Sequence, residues 1–142
     1  MRKQKGFTLI ELLVVIAIIG LLSTLAVVAL NNARMKARDA RRVSDIKQQQ
    51  TALELYYNDI NSYPTTVTGG GQIASSSVVY MAVVPSNPLP ADTTATGCGG
   101  VGYTYTQDLS GASYTLQYCL GGITGGIVAG LHKATPAGIQ NP

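Results

Sequence analysis

Residues 7–30 read FTLIELLVVIAIIGLLSTLAVVAL, an unbroken apolar run whose single charge is Glu11. As an α-helix at ~1.5 Å per residue the run is roughly 36 Å long, enough to cross a hydrocarbon core of about 30 Å. A core helix in a chain of 14.8 kDa has no use for an apolar surface of that length on every side, so the run predicts a membrane-embedded helix. A secretory signal peptide would use Arg2, Lys3 and Lys5 as its basic region and Val27-Val28-Ala29 as its cleavage site. Against that reading, the run exceeds the usual ~7–15 residues and carries an acid inside it. A plain single-pass anchor leaves Glu11 without a purpose. An acid within a membrane costs on the order of 2.5–3.5 kcal/mol on insertion scales and as a rule has a partner.

A cut between Gly6 and Phe7 would create an α-amine one helical turn from Glu11. Within one subunit, helix geometry limits that contact. Between staggered subunits, the amine of one meets the carboxylate of the next, and a buried pair of this kind fixes register. The residues Lys5-Gly6-Phe7-Thr8-Leu9-Ile10-Glu11-Leu12 resemble the leader and mature start of type IV pilins and type II secretion pseudopilins. The resemblance implies that a prepilin peptidase cuts after Gly6, that Phe7 becomes the N-methylated terminus and that Glu11 is the assembly carboxylate. It further implies a homo-oligomeric helical filament raised from membrane lipid by pilus or secretion machinery. The fold it implies is α+β, a long N-terminal helix packed against a small antiparallel sheet. Gly20 sits where the family often has a glycine.

Two features depart from that pattern. Many members have a proline about two-thirds along the apolar stretch, whereas here none precedes Pro64. Arg34, Lys36, Arg38, Arg41 and Arg42 follow the span, against three basic residues before it, and the positive-inside rule reads that as a cytoplasmic C-terminal side. The leader, the two cysteines and the neutral distal surface favour export instead. The expected location is the inner membrane, crossed once with the C-terminal domain outside, followed by an extracellular pilus or a periplasmic pseudopilus.

The chain then divides into a leader (1–6), a membrane or filament-core helix (7–30), its amphipathic continuation (31–60), a connecting loop (61–100) and a small antiparallel sheet with a C-terminal tail (101–142). In the continuation, Ala33, Ala37, Ala40, Val43, Ile46, Leu53, Tyr57 and Ile60 recur at helical spacing, with Leu53, Tyr57 and Ile60 expected against the sheet. The charges Arg38, Asp39, Arg41, Arg42 and Asp45 read first as a solvated face; inter-subunit pairing and lipid head groups are the alternatives. Asn58 to Pro64 stops the helix. A short helix or turn is expected near 73–84. Strands are expected over 101–106 and 113–119, joined through Asp108-Leu109-Ser110-Gly111-Ala112 as a hairpin. The glycine-rich segment 121–142 reads as an irregular tail.

Cys98 and Cys119 fit a disulfide or two separate buried thiols, and the export signal favours the disulfide. Without the leader, the side chains carry seven positive and seven negative charges. Beyond Asn61 only Asp92, Asp108 and Lys133 are charged, which gives no electrostatic footprint for nucleic acid. Asp92 and Asp108 are too few and too far apart for a calcium site, and two cysteines with His132 do not make a metal centre. No cofactor or catalytic constellation is expected, and His132 beside Lys133 reads as surface. The preferred function is a structural pilin. A major-type pseudopilin is the alternative, and a membrane-anchored binding domain that never polymerises is the rival from another class.

Overall fold

The computed structural model describes residues 6–93 and 95–141; the basic leader residues 1–5 lie outside the described residues. One helix, α1 (Leu9–Ile60), is followed by β1 (Ile73–Ala74), β2 (Val79–Met81), β3 (Thr104–Gln107), β4 (Tyr114–Leu120), β5 (Gly130–Thr135) and β6 (Gly138–Gln140). The chain forms two compact units, one ending at Arg34 and the other beginning at Met35.

From Leu9 onward the first unit is helix. Every large apolar side chain from Phe7 to Leu30 is at least 45% exposed, on all sides of the helix. The two hydroxyl side chains within this stretch of helix are satisfied along it, Ser23 Oγ donating to Ile19 O at 2.7 Å and Thr24 Oγ1 to Leu21 O at 2.8 Å. The helix thus buries none of its large apolar side chains from Leu9 to Leu30 within its own subunit.

The second unit packs the rest of α1 against a four-stranded antiparallel meander, β3-β4-β5-β6. The alternation of β4 puts Tyr114, Leu116, Tyr118 and Leu120 on the buried face. Across the ladder, Leu116 pairs with Ala134 and Tyr118 with His132. Tyr114, Leu116, Tyr118, Leu120 and Ala134 form one core with Ile46, Ala52 and Leu53 of the helix, and with Tyr63, Ile73 and Val84 from the connection. The α+β arrangement of a long apolar helix and a small antiparallel sheet is therefore present. Asn61 ends the helix with φ 56°, the left-handed conformation that asparagine tolerates at a helix C-terminus, and its N–H still donates to Tyr57 O at 2.7 Å.

Several details differ from the sequence reading. The 73–84 region is a two-stranded ribbon, β1 with β2, rather than a helix. Its Ile73 and Val84 are core residues, so β-branched side chains outweigh the local serine-rich turn chemistry. The segment after Gly121 is half of the sheet: β5 pairs with β4 and β6 with β5. Ile60 is exposed. The buried stripe of α1 is Asp39, Arg42, Asp45, Ile46, Gln49, Ala52 and Leu53, so half of the sheet-facing surface is polar.

Candidate functional site

The helix begins with reciprocal capping. Thr8 Oγ1 accepts from Glu11 N at 3.2 Å, while Glu11 Oε2 accepts from Thr8 N at 2.8 Å and from Thr8 Oγ1 at 2.6 Å. This is a capping box, in which a Thr and a Glu three residues on satisfy each other's free backbone N–H groups. The acid also lies at the positive end of the helix dipole. Gly6 and Phe7 precede the cap outside the helix. Phe7 is exposed, and a Cβ built on Gly6 meets no atom within 4 Å. The Gly6–Phe7 bond therefore lies in open, non-helical chain, and the first acid of the helix sits one turn beyond it. Thr8 is a site residue that the sequence reading misses, although the Thr-x-x-Glu spacing is the signal that finds it.

In the second unit the buried polar stripe of α1 holds the connections. Arg42 is fully buried. Its Nη1 meets Asp39 Oδ1 at 2.6 Å, its Nε donates to Asn87 Oδ1 at 2.9 Å, and its Nη2 donates to Pro88 O at 3.1 Å and Pro90 O at 3.2 Å. Asp39, also fully buried, accepts further bonds from Gly121 N at 3.2 Å and Gly122 N at 2.9 Å. One ion pair thus ties the helix to the proline loop and to the turn after β4. The charges on α1 are not a uniformly solvated face: Asp39, Arg42 and Asp45 are sequestered, and loop carbonyls and amides replace the water of Asp39 and Arg42. Asp45 accepts from Tyr103 Oη at 3.0 Å.

Cys98 and Cys119 are joined as a disulfide with Cα atoms 5.6 Å apart, linking the loop before β3 to the end of β4. His132 is buried rather than on the surface: its strand turns it inward beside Tyr118, with Nε2 2.8 Å from Val128 O. Among the described residues no group of three or more His, Cys, Asp or Glu side chains is placed to hold a metal. Tyr63 and Tyr114 both donate to Glu54, at 3.0 and 3.4 Å. Burial, then that carboxylate, pushes both phenols well above the usual tyrosine range.

The family described as the prokaryotic N-terminal methylation motif matches residues 1–27. The chain carries a prepilin-type N-terminus. It is similar to type II secretion system core protein G of Aeromonas hydrophila, 47% identical over 68 residues, 48% of each chain. The corresponding protein of Vibrio cholerae serotype O1 is 38% identical over 90 residues, 63% of this chain and 56% of that one. The type IV major pilin protein PilE of Neisseria gonorrhoeae is 37% identical over 75 residues, 53% of this chain and 45% of that one. The matched part spans about half the length of these relatives. No solved structure gives a significant match. The prepilin motif takes in the capping box and the bond before it.

Proposed function

We propose that this chain is a major-type pseudopilin of a type II secretion system. It waits in the inner membrane with its second unit outside, is cut by prepilin peptidase between Gly6 and Phe7, is N-methylated on Phe7 and is then drawn into a periplasmic helical filament. What carries the reading is the conjunction of the prepilin motif with an apolar helix exposed on all sides. That helix has to be covered by something outside the subunit, first lipid and then sister helices. Leaving lipid for protein gains no hydrophobic energy, so packing and polar pairing select the assembled state. Glu11 supplies the pairing: its carboxylate, capped by Thr8 in the subunit alone, meets the Phe7 amine of a neighbour in the filament. The preference for core protein G over a pilin rests on the higher identity, 47% against 37%, and departs from the sequence-based preference for a pilin. The disulfide between Cys98 and Cys119 supports the second reading, a type IV pilin.

Mass spectrometry of the protein recovered from its native cells tests the first step. The expected N-terminus is methylated Phe7, whereas an uncut Met1 or a cut after Ala29 would refute it. Deletion of the gene separates the two subtypes. Loss of exoprotein secretion with surface pili intact is expected, and the converse would make the chain a pilin. Replacing Glu11 with Val should leave membrane insertion intact and abolish filaments; filaments at wild-type yield would favour the non-polymerising anchor.

A further inference from the structure

Asp108 and Lys133, two of the three charges beyond residue 61, form no ion pair among the described residues. Along β5, His132 and Ala134 are buried and Lys133 is exposed, so Lys133 stands on the sheet face turned away from α1. Leu131 is two residues back on the same face, and Gln140 is the β6 partner of Lys133. With Thr96, Gly97 and Asn141 these residues line a cleft of about 400 Å³. Leu131 N donates to Thr96 O at 3.3 Å and holds the loop against the strand. The cleft offers one cation, one apolar wall and a rim of neutral hydrogen-bonding groups. Its complement is a carboxylate beside an apolar side chain.

The β3–β4 turn presents that pair in adjacent residues. Leu109 is fully exposed, beyond any other large apolar residue of the second unit. The turn beneath it is fixed. Asp108 Oδ1 accepts from Ser110 N at 3.0 Å and Oδ2 from Ser110 Oγ at 3.2 Å. Gly111 N donates to Asp108 O, and Tyr63 N donates to Gly111 O, both at 2.9 Å. A carboxylate has about four acceptor sites, so Asp108 keeps lone pairs free after holding its own turn. A turn shaped before contact loses little conformational freedom on docking.

We propose that the Asp108-Leu109 turn of one subunit seats in the Leu131–Lys133 cleft of a second copy, Asp108 pairing with Lys133 and Leu109 lying on Leu131. The proposal rests on the filament reading and names one contact between its outer units. Turn and cleft are different surfaces of the same chain, so the contact is heterologous and propagates from copy to copy instead of closing a two-fold dimer. On so sparsely charged a surface, one pair defines which neighbour fits and in which register.

The test uses filaments of the full chain made in cells that carry the processing and assembly machinery. A carbodiimide joins a lysine amine directly to a carboxylate in contact with it. Treated wild-type filaments should give a ladder of cross-linked subunits whose junction peptide contains Asp108 and Lys133. Filaments of Lys133→Arg, which keep the charge but lack the amine, should form and lose that junction. Asp108→Lys and Lys133→Asp should each lower filament yield, and the charge-swapped double variant should restore it. Single charge reversals that assemble like wild type, with no Asp108–Lys133 junction, would overturn this contact and leave the filament reading standing. A processed wild-type chain that never forms filaments would sink both.

Discussion

Arg42 makes four hydrogen bonds from a site with no solvent, and Asp39 accepts three. Taking two ions out of water is offset only when nearly every lone pair and N–H is reused, as here. Removing one partner strands the other charge, so Asp39→Ala should destabilise the second unit by about 3–5 kcal/mol, whereas the double change Asp39→Leu with Arg42→Met should cost clearly less. Urea midpoints of the detergent-solubilised chain read both; equal losses would mean the pair is not isolated from water. Gly121 belongs to the same joint, since a Cβ there would run into the Asp92 carboxylate. Tyr118 is the opposite case, a buried phenol whose hydroxyl has no hydrogen-bond partner among the described residues. Tyr118→Phe should therefore be neutral or stabilise by up to about 1 kcal/mol, because an unsatisfied buried hydroxyl is a cost. The Asp39–Arg42 spacing is legible in the sequence, but its burial is not. Apart from the Asn87 side chain, the partners that replace water are backbone groups of Pro88, Pro90, Gly121 and Gly122, and backbone groups leave no trace in residue identity.

At the scale of elements, the N-terminal half of α1 is readable because its unbroken apolar run holds no Pro and a single Gly, and its large apolar side chains are exposed. Its first turn is readable too, through Thr8 and Glu11. Thr8→Ala removes the side chain that both accepts from Glu11 N and donates to its carboxylate, and loss of such a cap costs about 1 kcal/mol. Amide hydrogen exchange in micelles should show faster exchange over residues 9–12 and no change beyond residue 20; uniform protection would mean the cap contributes nothing. The second half of α1 is harder. Its buried stripe carries Asp39, Arg42, Asp45 and Gln49, so a hydrophobic pattern finds Ile46 and Leu53, with Val43 and Tyr57 packed beside them, but misses the polar members and misplaces Ile60. β5 and β6 escape the sequence reading for a similar reason. Gly130, His132, Lys133 and Gly138 lack the apolar alternation of a strand, and the pairing is dictated by β4, whose otherwise open backbone edge β5 fills.

Across the whole molecule, the two units treat apolar surface differently, the first leaving it exposed and the second burying it. The first has no core of its own, and the second closes a small core with tyrosines and one disulfide. The Cys98–Cys119 loop, with a sequence separation of 21, corresponds to roughly 3 kcal/mol of lost unfolded-state entropy. The tyrosines make the same core sensitive to alkali. Burial pushes the Tyr118 phenol up to about 12, and burial also raises Tyr63, Tyr103, Tyr105 and Tyr114. An unfolded chain releases these protons at about pH 10. Below that value both states are neutral and the contribution is complete. Above it the unfolded state sheds protons that the folded state retains, so stability falls as pH rises towards the folded values. For Tyr118 alone the loss by pH 12 is on the order of 2 kcal/mol, since a tenfold change in proton affinity is worth ~1.4 kcal/mol. Thermal unfolding of the detergent-solubilised chain, followed by far-UV circular dichroism, should show a falling midpoint from pH ~9.5 to ~11.5 and a level one from pH ~7 to ~9. Tyr118→Phe should make the decline shallower. A midpoint that stays level throughout that alkaline range would mean that water reaches the phenols and that the sheet does not close over α1 as described.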